Sequence, residues 1–193
     1  MDCRRQDSGS LGHPLILKAK PFARAKCSGD FLFGSIGTMD LVKTANQNLE
    51  QVCTMFRQDL EALPEEAFTQ GFGGATRTVA DIVTEVNDVN DYFGAKLRGE
   101  EPPTWNLDDG WVRAPEGFNK KADVIAAFVQ STDKLKSTVA GFSAEVLDSP
   151  IPGDSNGRTY YSRVSFLVSH LMYHSGQLNY IQTLLGDSEW HWK

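Results

Sequence analysis

Two histidines, His170 and His174, stand four residues apart in the string VSHLMYHSGQLNYIQTLLGD. On an α-helix that interval puts both imidazoles on one face, with Cβ atoms about 6 Å apart, so both can reach a single metal ion. Two readings of the pair are open. They are half of a metal site, or they are core histidines whose ring nitrogens are satisfied by neighbours or water, since a buried imidazole without partners is costly. The zincin pattern HExxH does not decide between them, because Leu171 occupies the place of its glutamate.

Other chemistry-bearing residues weigh less. Cys53 falls on the apolar stripe of a helix and reads as a small core residue, since a buried thiol is inert. His13 and His191 lie in terminal segments and read as surface residues, and Asp88 and Asp91 read as a solvated helix face. Asn87, Asn90, Tyr173 and Gln177 are polar groups that could orient the histidine pair or serve as ordinary surface hydrogen bonders. The sequence contains no GxGxxG, P-loop or GxSxG motif and no internal repeat.

The elements that must carry the pair are helical. Leu41, Val42, Ala45, Leu49, Val52, Cys53, Phe56, Leu60 and Leu63 recur at steps of three and four, the period of one helix face. After Pro64 and the Gly-rich connection GFGGATR, Thr78 and Asp81 form a capping-box-like start for a second helix. Its apolar face is Val79, Ile82, Val83, Val86, Val89 and Phe93, and Gly99 is its stop. A long connection rich in Pro, Gly and Trp follows, in which Trp105 and Trp111 are expected to pack against the body. The third helix starts near Asn119, with Ile125, Phe128, Val129, Thr132, Leu135, Val139 and Phe142 on one stripe. The last runs from about Tyr160 to Leu185, has His174 on its seam and His170 beside it, and is capped by Gly186. Trp190 and Trp192, beyond that cap, are expected to fold back over the bundle end. No strand alternation is present, so the chain is expected to be all-α: an antiparallel four-helix bundle over residues 39–193 with a long crossover between helices two and three.

Composition bounds the function. At 193 residues, 40% hydrophobic and 23% charged, the chain suits one globular domain with a single core. Residues 1–38 have no helical or strand period and are expected to be unstructured or a non-native extension, with Met39 as an alternative natural start. That arm holds six Lys/Arg against three Asp/Glu, whereas the remainder holds thirteen against twenty-two. An acidic body without a basic stripe argues against nucleic-acid binding. No stretch reaches the roughly 20 apolar residues of a membrane span, and no secretory leader is evident, so a cytoplasmic location is expected. Three cysteines, Cys3, Cys27 and Cys53, in no metal or disulfide spacing, fit a reducing compartment.

The last-helix string around His170 and His174, with its small-Gln-Leu segment and terminal Leu-Gly, resembles the signature of the DinB/YfiT-like four-helix-bundle family. The segment TRTVADIVTEVNDVNDYF is similar to that family's second helix. The resemblance implies a divalent-metal site made by three histidines, two on the last helix and one on helix two. The last two fall on His170 and His174, but the helix-two position falls on Glu85. Either this carboxylate replaces the imidazole, giving a Glu85, His170, His174 set for Zn, Ni or Mn/Fe, or Glu85 is a solvated charge beside a degenerate site. The resemblance further implies a small-molecule substrate, a low-molecular-weight thiol as cosubstrate in a transfer or isomerisation of small electrophiles, and a homodimer. The alternative is a non-catalytic, stress-linked bundle that binds a ligand or a partner.

Overall fold

The structure, a computed structural model, describes residues 40–104 and 110–193. The arm 1–38, Met39, Cys3, Cys27 and Trp105 therefore lie outside the described residues. The described residues form five helices: α1 (Leu41–Ala62), α2 (Val79–Leu97), α3 (Lys121–Ala140), the short α4 (Ala144–Asp148) and α5 (Tyr160–Leu184), with a 3-10 turn at Glu65–Phe68. Among the described residues there is no strand, and no helix is long and apolar enough to cross a membrane. The short α4 and the 3-10 turn were hidden in turn-rich sequence, being shorter than the two helical turns that a period needs to show itself.

Four long helices pack as a bundle in which α1 and α2 each contact α3 and α5. Lys121, at the start of α3, reaches the carbonyls of Glu61 and Leu63 at the end of α1, so α1 and α3 run antiparallel. Phe93 of α2 meets Phe166 of α5, while Arg77, just before α2, meets Gln177, so α2 and α5 are also antiparallel. Arg98 near the end of α2 lies against Thr138 near the end of α3, which makes that pair parallel. The long crossover follows from this last pairing. A chain leaving one end of α2 must travel the length of the bundle, about 30 Å, to start α3 at the other.

The core runs down the middle of the bundle. Phe56 and Phe128 stack at 4.6 Å between α1 and α3, and Leu49, Leu60, Val83, Val86, Leu135, Leu167, Leu171 and Leu178 are fully buried around them. The apolar faces of α1 and α2 are those that the periodicity gives, and His174 lies buried on the seam of α5. On α3 the buried line is Val124, Phe128, Leu135 and Val139, whereas Ile125 and Val129 are half-buried, so the stripe is rotated toward Val124. The two tail tryptophans part company: Trp192 donates its indole N–H to Asp59 (2.7 Å), while Trp190 is exposed.

Candidate metal centre

Helix α2 is held in register by its first turn. The Thr78 hydroxyl accepts from the Asp81 N–H (3.1 Å) and the Thr78 N–H donates to Asp81 Oδ2 (3.0 Å), a complete capping box. Asp81 also fastens the crossover: the Ala114 N–H donates to Oδ1 (2.8 Å) and Arg113 to Oδ2 (3.0 Å). Burial pushes the Asp81 carboxyl up, but these donors outweigh it and hold its pKa below the ordinary value. Glu85 follows one turn later, facing α5.

On α5, His170 and His174 meet edge to face, their ring centroids 4.5 Å apart. Their Nε2 atoms lie 3.1 Å from each other, and Glu85 Oε1 lies 3.8 Å from that of His170 and 3.6 Å from that of His174. All three ligand atoms thus fall within 4.8 Å of one another. Ligand atoms around a cation with bonds of about 2.1 Å are separated by roughly 3–3.5 Å, so small rotations bring this set to one point. Burial, and secondarily the positive charge of Arg77, pushes the His170 pKa down to about 4. The His174 pKa is also pushed down to about 4, by burial first and by His170 next. Both rings are therefore neutral near pH 7, the form that ligates.

Gln177 fixes the orientation of His174. Its Oε1 faces Arg77 Nη2 (3.2 Å), and a guanidinium can only donate, so that atom is the amide oxygen and accepts. The same oxygen lies 2.8 Å from His174 Nδ1, which must then carry its hydrogen, leaving the Nε2 lone pair bare toward Glu85. The Gln177 amide nitrogen donates to the Tyr173 hydroxyl (3.1 Å). His170 has no such anchor, because its Nδ1 is buried without a partner among the described residues. Among the described residues no hydrogen bond joins Asn87 or Asn90 to the pair, and Asn87 Oδ1 and both polar atoms of the Asn90 side chain are buried without partners there.

Arg77 is the residue that sequence reasoning missed. It pairs with Glu85 Oε2, its side chain is only 5% exposed, and Trp111 lies 4.7 Å beneath its guanidinium. An arginine preceding a helix cap carries no periodic or motif signal. Glu85 itself is neither a free surface charge nor a fully buried one, its side chain being 18% exposed. Trp111 packs against the body through that guanidinium while staying 57% exposed. Away from the centre, Cys53 is buried and its thiol is pushed up to about 12 by that burial, an inert side chain. His191 pairs with Asp187 in the tail (2.7 Å).

A helical bundle with two imidazoles and a carboxylate converging between its second and last long helices defines a class of bundle with an inward-facing candidate metal site. A profile of the DinB superfamily matches residues 47–178, and the chain belongs to that superfamily. A solved structure described as a conserved protein from Enterococcus faecalis is similar in fold, with a TM-score of 0.60 at 15% identity, covering 77% of this chain and 99% of its own. No curated protein matches the sequence.

Proposed function

We propose that this protein is a divalent-metal-dependent enzyme in which Glu85, His170 and His174 hold the metal, and that it transfers or isomerises small electrophiles with a low-molecular-weight thiol. The observation that carries this reading is the convergence of one carboxylate oxygen and two imidazole nitrogens within 4.8 Å of one another. Three protein ligands leave positions for exchangeable groups, as catalytic rather than structural sites do. A cation there supplies Lewis acidity that lowers the pKa of a thiol or water beside it. The chain's own residues prepare the place for it. Gln177 holds His174 in the ligating tautomer, Arg77 draws Oε2 of Glu85 aside so that Oε1 faces the histidines, and burial keeps both imidazoles unprotonated. In the same reading the protein works in the cytoplasm and as a homodimer.

Elemental analysis of protein purified without chelator should find about one divalent cation per chain, and His174→Ala and Glu85→Ala should each lose it. Absence of metal, with no thermal shift on adding zinc, nickel or manganese, overturns the reading.

One observation favours a second reading, a non-catalytic bundle with a degenerate site: Arg77 already neutralises the carboxylate that would ligate. Metal content unchanged in Glu85→Ala supports that alternative.

A further inference from the structure

Beside the Glu85, His170, His174 cluster lies an open cavity of about 430 Å³, within the size range of small-molecule sites. Arg77 and Gln177 form its wall on the side of the metal ligands, and Trp111, Tyr173, Phe72 and Ile82 supply apolar and aromatic surface. We propose that this cavity binds a small carboxylate-bearing substrate with an aromatic or branched apolar body, the carboxylate on Arg77 and the body against Trp111 and Tyr173.

Three observations carry the assignment. Arg77 is nearly buried, yet of its five donors the described residues engage one with Glu85 and one with Gln177, which leaves N–H groups for a planar bidentate acceptor. Its face is stacked on Trp111, so the fork is held rigid at the cavity wall. The charge balance also calls for an anion. Glu85 and Arg77 cancel, and the nearby Asp81 is taken up by Arg113 and the Ala114 N–H. A divalent cation would therefore leave its whole charge to be met by what enters from the cavity, in a setting where unpaired charge is costly. Gly176 marks the floor: a Cβ built there meets no atom within 4 Å, so the cavity continues over this turn of α5.

This inference rests on the metal reading for its charge balance, but Arg77 belongs to the protein with or without metal, and the test separates the two. The full chain is titrated with 3-phenylpropionate and with its uncharged amide by calorimetry, before and after EDTA treatment, with metal content measured on each sample. The acid should bind at least about ten-fold more tightly than the amide in the EDTA-treated protein, the scale of a charge-assisted bidentate contact. Arg77→Gln should reduce that preference to near unity. Gly176→Leu, which fills the cavity without touching a ligand residue, should weaken acid and amide alike while leaving metal content unchanged. Equal binding of acid and amide by the EDTA-treated wild type, or a preference that survives Arg77→Gln, overturns the proposal. So does acid binding undiminished in Gly176→Leu. Absence of metal from the protein before EDTA treatment, with the acid preference intact, instead fails the metal reading alone. If Arg77→Gln unfolds, Arg77→Lys, which keeps the charge but loses the fork, gives the same readout: an intermediate preference supports the proposal and an unchanged one overturns it.

Discussion

Gln177 touches three groups at once, Arg77, His174 and Tyr173, and its oxygen serves two of them. Replacing it with leucine removes the acceptor that holds the His174 tautomer, and zinc affinity should fall by about 10–100-fold while the helical signal is kept, measured by competition with a metal indicator. The histidines also set a pH dependence. Unfolded imidazoles protonate near 6.5 and the folded ones only near 4, so between those values the unfolded chain holds more protons. Their contribution is fully present above pH 6.5 and is lost as pH falls toward 4, on the order of a few kcal/mol for the pair. Urea unfolding of metal-free protein at pH 7.5 and 5.0 should show this loss, and a His170→Gln, His174→Gln double variant should flatten it. The pair was legible because i and i+4 on a helix share a face whatever the tertiary context. Arg77 was not, because its contact with Glu85 depends on how the chain enters α2, and the amide orientation of Gln177 depends on a donor a hundred positions away.

At the level of elements, α2 bears both the capping box and the strap that fastens the crossover, through one carboxylate. Thr78→Ala should cost about 1 kcal/mol, the ordinary value of a lost cap. Asp81→Ala should cost more, about 2–3 kcal/mol, because the Ala114 N–H and the Arg113 contact are lost with it. Denaturant midpoints read both, and protease cleavage near Arg113 should rise in the second alone. The four long helices follow directly from three-and-four spacing, and the start of α2 from Thr78 and Asp81. The rotation of the α3 stripe toward Val124 was not readable from spacing, since Val124 and Ile125 are adjacent apolar residues and only the packed neighbours choose between them. Trp111 packs against the body as its apolar area suggests, but on a guanidinium instead of an apolar core, a partner that spacing could not name.

Across the whole molecule, the chain end is tied back to the first helix. Asp59 is fully buried, accepts from the Ser175 hydroxyl (2.5 Å) and from the Trp192 indole, and its backbone carbonyl accepts from Gln182. Trp192→Phe keeps the ring but leaves one carboxylate oxygen with a lost donor, so stability should fall by about 1–2 kcal/mol, measured by urea titration at pH 7. The direction of the helices carries a different consequence. Because α2 and α3 run the same way, the connection 98–120 has to cover about 30 Å, a distance that roughly nine extended residues already span. The chain spends more than twice that length there, and its surplus includes Trp111, one wall of the cavity. Relatives that keep the Arg113 and Ala114 strap to Asp81 can therefore lengthen, shorten or rewrite the rest of this stretch without disturbing a contact between helices, so ligand preference can diverge in the connection while the bundle and its histidines stay as they are.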